Sequence, residues 1–118
     1  MLAKTARLTE SGDFARATKS GLRSSSTHFV GYLHIDGEAQ HPARVGLIIG
    51  KNIGGSVLRH RLARTIRHYL REHYAELPTG SLLVIRGLTN SGQADYAQEL
   101  NQILLSLFKK AKEQAMRK

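Results

Sequence analysis

Arg59, Arg61, Arg64, Arg67 and Arg71 crowd one short stretch of the chain, with His60 and His68 among them. No acidic residue occurs between Glu38 and Glu72, an interval that also holds Arg44, Lys51 and His41. A guanidinium is a planar fork of donors that grips phosphate oxygens two at a time and stacks on bases, which a lysine ammonium cannot do. The chemistry such a set suits is the binding of a polyanion, not the making or breaking of bonds.

Ser56 to His73 reads as the best helix in the chain. At about 100° per residue, Leu58, Leu62, Ile66, Tyr69 and Leu70 share one apolar arc that must face a core. Arg67, His60, Arg71, Arg64, His68 and Arg61 fill the opposite arc, interrupted only by Val57. Arg59 sits at the edge, where its stem can pack while the guanidinium reaches outward. A plain solvated face is the simpler alternative, but such faces usually mix signs because opposite charges support one another at i,i+4. A one-sign face destabilises the helix unless an anion covers it. Lys51, His60, Arg61, Arg64, Arg67, His68, Arg71 and Arg59 are therefore the candidate residues for binding a polyanion, nucleic acid first.

The loop ahead of this helix strengthens the case. Gly50, Gly54 and Gly55 let the backbone approach a partner closely, and the helix N-terminus offers unpaired N–H groups to a phosphate. A nucleotide-binding P-loop is excluded: Gly46 to Asn52 has three residues between its glycines instead of four, and Asn52 where a Ser or Thr would hold magnesium. His34, His41, His60, His68 and His73 lack the spacing of a metal site. The serines at 24–26 belong to no recognisable set of nucleophile, base and orienting group. No catalytic residue and no metal ligand of the protein is expected.

The elements that position the basic face come next. At 118 residues with 41% hydrophobic content, the chain fits one domain with one modest core, mainly aliphatic because it has only three Phe, four Tyr and no Trp. Residues 1–8 read as a basic arm, without the apolar run of a secretory signal. Thr9 to Thr18 reads as a short helix anchored by Phe14, and Arg23 to Thr27 as a loose polar stretch. His28 to Ile35 alternates as a strand does, with Phe29, Gly31, Leu33 and Ile35 on one side and Val30, Tyr32 and His34 on the other. Asp36-Gly37-Glu38 is a turn, and Ala43 to Ile49 is a strand apolar enough to be buried on both faces. Leu82 to Ile85 is a third strand. Asn90 with Gln93 resembles a capping box. A last helix from Gln93 to Ala111 buries Tyr96, Leu100, Ile103, Leu104 and Leu107, and residues 112–118 form a basic tail that frays. The fold class is α+β: a single-domain α/β sandwich, 1–118, in the order α-β-β-α-β-α.

Eighteen Lys and Arg against nine Asp and Glu leave a formal charge of +9. That excess favours nucleic acid over other partners. The absence of cysteine and of any run near the roughly 20 apolar residues of a membrane span suits a cytoplasmic protein. A helix that lies on a membrane is not expected, because its apolar arc is committed to a core. A DNA-binding helix-turn-helix is not expected either, because the basic helix follows a strand.

The run from Arg44 to Arg67 (Arg44-Val45-Gly46-Leu47-Ile48-Ile49-Gly50-Lys51-Asn52-Ile53-Gly54-Gly55-Ser56-Val57-Leu58-Arg59-His60-Arg61-Leu62-Ala63-Arg64-Thr65-Ile66-Arg67) resembles the central motif of the bacterial ribonuclease P protein family. In that motif a strand ends in a Lys-Lys-Val-Gly loop and leads into a helix carrying Arg-Asn-Arg. Leu8 to Phe14 is similar to the family's first helix, Gly21-x-Arg23 with Phe29-Val30-x-Tyr32 to its first strand, and Leu83 to Arg86 to its third strand. The resemblance implies a left-handed β-α-β crossover and a protein that assists a catalytic RNA in removing the 5′ leader of precursor tRNA. It implies that Lys51, Arg59, Arg61, Arg64 and Arg67 contact the catalytic RNA. It further implies that Phe14, Tyr32 and Arg86 line a cleft for the leader, and that Mg2+ in the holoenzyme is held mainly by RNA. Catalytic RNA and precursor tRNA are thus the implied partners. The chain departs from the pattern at Asn52, His60, Ala63 and Thr18. The alternative is a ribosomal or general structured-RNA-binding protein, which would share the basic helix and lack the leader cleft.

Overall fold

The computed structural model describes residues 11–35, 41–88 and 95–116. The basic arm, the turn at 36–38 and the capping pair Asn90 and Gln93 lie outside the described residues. Helix α1 spans Ser11–Ser20, and strands β1 and β2 span Leu22–Ser25 and Phe29–Ile35. Strand β3, Arg44–Ile48, leads through a 3-10 turn at Lys51–Ile53 into helix α2, Ser56–Glu72. A second 3-10 turn, Tyr74–Glu76, precedes strand β4, Ser81–Gly87, and helix α3 is Tyr96–Met116. The order is α-β-β-β-α-β-α, one strand more than expected.

That extra strand is the main correction to the sequence reading. Leu22–Ser25 is not loose: it pairs antiparallel with β2, Leu22 opposite Leu33 and Arg23 opposite Tyr32. Its polar residues gave no apolar signal because an edge strand needs apolar side chains on one face only. Strand order in the sheet is β1-β2-β4-β3, with β2 and β4 antiparallel and β3 and β4 parallel. The parallel pair is joined through α2, which makes the β-α-β unit. Because β3 is the other edge, it is less covered than expected, with Leu47 and Ile48 half-buried.

Each face of the sheet has its own covering. Phe29, Leu33, Val45, Leu83 and Ile85 pack with Leu62, Ile66 and Leu70 of α2 and Leu100, Ile103, Leu104 and Leu107 of α3. Fully burying each such side chain contributes roughly 1.5–3 kcal/mol, so this layer dominates the stability. The opposite face carries the smaller cluster of Ala17, Leu82 and Val84, flanked by Phe14, Tyr32 and Ile48, and is covered by α1. Gly31 sets the approach of α3: a Cβ there would overlap Ile103 Cγ2.

Four further expectations change. Leu58 lies at the first turn of α2, 36% exposed, and packs toward Gly54 instead of the core. Tyr96 is 38% exposed and meets Tyr69 edge-on, ring centroids 6.4 Å apart. Helix α3 runs on past the expected end at Ala111 to Met116. Strand β4 also runs longer than Leu82 to Ile85, taking in Ser81, Arg86 and Gly87.

Candidate nucleic-acid interface

Helix α2 is held at both ends, which fixes the direction of its outer face. Before it, Gly54 takes φ 149°, a conformation open to glycine, as the backbone leaves the 3-10 turn. After it, the Tyr74 hydroxyl donates to the Ala43 carbonyl at 2.6 Å, tying the end of the helix to the start of β3. The core side of the helix is Leu62, Ile66, Tyr69 and Leu70. Burial, and then the nearby carboxylates of Glu76 and Glu72, push the Tyr69 hydroxyl above its usual pKa and keep it neutral.

The outer side is the arginine face. His60, Arg61, Arg64, His68 and Arg71 are exposed, and Arg59 and Arg67 are half-buried. Among the described residues none of the five arginines has a carboxylate within ion-pair distance. His68 differs from its neighbours, since its Nε2 lies 3.6 Å from Glu72. Arg59 differs from the expectation as well: its Nε is buried and, among the described residues, has no hydrogen-bond partner. The N-terminus of α2 has Gly55 as its cap, no side-chain capping bond and no acidic residue in its first turn. Its N–H groups and Lys51, which is exposed in the adjacent 3-10 turn, therefore extend the same positive surface. Between α2 and β3 lies a groove of about 280 Å³.

Phe14, Tyr32 and Arg86 belong to a different surface. Residues directly opposite in a sheet share a face, and the register places Val30 opposite Arg86 and Tyr32 opposite Val84. Tyr32, Val84 and Arg86 thus lie on the α1 side, with Phe14 against the same cluster. Arg86 is exposed there, and the two rings are half-buried. Thr18, also on α1, donates its hydroxyl to the Phe14 carbonyl at 2.9 Å.

Two groups on this side escaped the sequence reading. Arg23 is exposed and directly opposite Tyr32 in the register; only the pairing of β1 reveals it. Arg44 and Arg16 flank Asp13, at 3.6 and 3.7 Å; the Arg44 pair joins α1 to β3, and the Arg16 pair lies within α1. No periodic signal links residues 13 and 44. Among the described residues no group of three or more His, Asp or Glu comes together, and no helix is long and apolar enough to cross a membrane.

Comparison with known proteins agrees with this geometry. The family model described as Ribonuclease P matches residues 2–112. The chain belongs to the Ribonuclease P family. It is 39% identical over 105 residues to the ribonuclease P protein component of Streptomyces avermitilis, covering 83% of this chain and 85% of that one. It is likewise 39% identical over 110 residues to the protein component of Mycobacterium avium, covering 88% and 92%. The solved RNase P protein of Staphylococcus aureus superposes with a TM-score of 0.71 at 25% identity, over 91% of this chain and 95% of that one. The RNase P protein of Thermotoga maritima, 23% identical, shares the fold with a TM-score of 0.68 over 88% and 96%.

Proposed function

We propose that this chain is the protein component of a bacterial-type ribonuclease P, working with a catalytic RNA to remove the 5′ leader of precursor tRNA in the cytoplasm. The observation that carries the reading is the arginine face of α2, which has no internal carboxylate to neutralise it among the described residues. Arg61, Arg64, Arg67 and Arg71, with His60, His68, Arg59 and Lys51, bind the phosphates of the catalytic RNA. Such contacts supply affinity and register through counterion release and charge-assisted hydrogen bonds. The second surface, Phe14, Tyr32 and Arg86, takes the single-stranded leader: a ring offers any base a stacking face, and the guanidinium holds a phosphate.

On this reading hydrolysis belongs to the RNA and to the magnesium ions that it holds, which activate water and stabilise the leaving oxygen. The protein's own residues bind and orient the two RNAs. Placing the surfaces on opposite faces of one sheet lets a single domain grip the catalytic RNA and the leader together. A general structured-RNA-binding protein is not favoured, because the relatives bear the name of the ribonuclease P component.

Reconstitution with a bacterial ribonuclease P RNA at low magnesium tests the reading. The chain should restore 5′ maturation that the RNA alone performs poorly, and the protein without RNA should leave precursor tRNA intact. No rescue, or robust cleavage by the protein alone, would overturn it.

A further inference from the structure

The groove between α2 and β3 combines two kinds of lining. Leu47, Ile49 and Ala63 form an apolar floor, and Arg59, His60 and Arg67 a polar rim. We infer that this groove is a pocket for one unpaired nucleotide, with the base laid on the Leu47–Ile49–Ala63 floor and its phosphate held by Arg59 and Arg67. The inference rests on the proposed function and deepens it, since it names a base-binding site within a surface otherwise read as contacting phosphate alone.

Four observations lead there. The volume of about 280 Å³ lies just below the usual range of ligand pockets, roughly 300–1,000 Å³; it suits one nucleotide and is too small to take in a duplex. Ala63 ends at a methyl group, so the floor is open where a longer side chain would lie across it. Arg59, which lines the groove, has its Nε buried without a partner among the described residues, leaving an unsatisfied donor at the site. Arg67 and His60 surround an apolar floor with donors, the arrangement a base requires: flat apolar faces, hydrogen-bonding edges and an attached anion. RNA is recognised in its sequence chiefly at such splayed, unstacked nucleotides, and a guanidinium both stacks on a base and chelates its phosphate.

The test uses the full chain with its Leu, Ile and Ala methyl groups labelled for NMR. Adenosine 5′-monophosphate, ribose 5-phosphate and inorganic phosphate are titrated separately. The nucleotide should give saturable shifts at the Leu47, Ile49 and Ala63 methyls, with at least fivefold weaker responses to the two base-free anions. Ala63→Leu, which fills the floor, should weaken nucleotide binding about tenfold and leave the methyl spectrum away from the groove unchanged; Ala63→Val serves if the larger residue disturbs the fold. Equal shifts with inorganic phosphate would mean an anion site without a base pocket and would overturn the inference, as would shifts that map elsewhere or none at all. A second arm separates this inference from the function on which it rests. Ala63→Leu should lower affinity for ribonuclease P RNA about fivefold at an unchanged salt slope, because no charge is removed. Undiminished affinity refutes the pocket and leaves the basic face standing, whereas failure of the unaltered chain to bind that RNA refutes the function itself.

Discussion

Arginines stand on both sides of the sheet, and two on the α1 side, Arg16 and Arg44, differ from those of α2 in having a partner. On the α1 side Arg16 and Arg44 share the half-buried carboxylate of Asp13, and their charge is used within the fold. On the α2 side the five arginines from Arg59 to Arg71 have no carboxylate within ion-pair distance among the described residues. Glu99 makes the same point from the acidic side. It accepts hydrogen bonds from the Ser26 hydroxyl at 2.6 Å, the His28 N–H at 2.7 Å and His28 Nδ1 at 2.7 Å, holding the β1–β2 turn to α3. Where the fold uses a charge it supplies a counter-charge; Arg23 and Arg86 on the α1 side have none among the described residues, and the α2 face gathers five such arginines on one helix. A partner must supply what that face lacks.

The contrast can be broken most severely on α2. Replacing both Arg61 and Arg64 by Ala should weaken binding to ribonuclease P RNA more than about 100-fold, at roughly 1.5–3 kcal/mol per charge-assisted bond lost, and should leave the thermal midpoint almost unchanged. A large fall in the midpoint would mean that these residues act within the fold after all.

On the other face, Tyr32→Ala should raise the apparent KM for precursor tRNA about tenfold, in line with about 1–3 kcal/mol for one stacked base. Affinity for the catalytic RNA should stay constant. Equal losses in both would identify Tyr32 as a packing residue only.

Glu99 gives a pH-dependent contrast. Burial alone would raise its carboxyl, but hydrogen bonds from Ser26 and His28, aided by the charge of His28, outweigh burial and hold it below the usual carboxylate range. A lowered carboxyl stabilises the fold fully above its unfolded pKa, and that stability disappears as pH falls through the folded value. In urea titrations the stability difference between the protein and Glu99→Gln should therefore be greatest near neutral pH and shrink in acid. A difference independent of pH would remove Glu99 from this role.

The smallest effect is expected at Asp13. Asp13→Asn should lower stability by less than about 1 kcal/mol, because Arg16 and Arg44 are partly solvated and such pairs are weak. A loss several times larger would show that α1 depends on this pair for its docking.

How much of this was legible in the sequence follows the same division. The basic face was readable because one helix generates it: Leu62, Ile66, Tyr69 and Leu70 define the buried side, and the arginines follow by rotation. The alternation put Phe29, Gly31, Leu33 and Ile35 on one side of the strand; the first three of these face the main core, while Ile35 at the strand end is exposed. Strand β1 was not legible, because Arg23, Ser24 and Ser25 are polar and the pairing that makes them a strand lies in β2. Leu58 and Tyr96 were misplaced because a helical wheel ignores the ends of helices, where the core no longer reaches the first turn. The bond between Glu99 and the β1–β2 turn joins residues 71 and 73 positions apart, a separation that no local pattern can report. The groove beneath Arg59 requires both β3 and α2, so neither element alone announces it.

The central claim is that polyphosphate neutralises the arginines of α2, and the salt dependence of RNA binding measures this directly. Log affinity for ribonuclease P RNA, plotted against log salt for the protein and for the Arg61→Ala, Arg64→Ala double variant, should lose about two units of slope, about one per arginine. An identical slope in the two proteins would contradict the account.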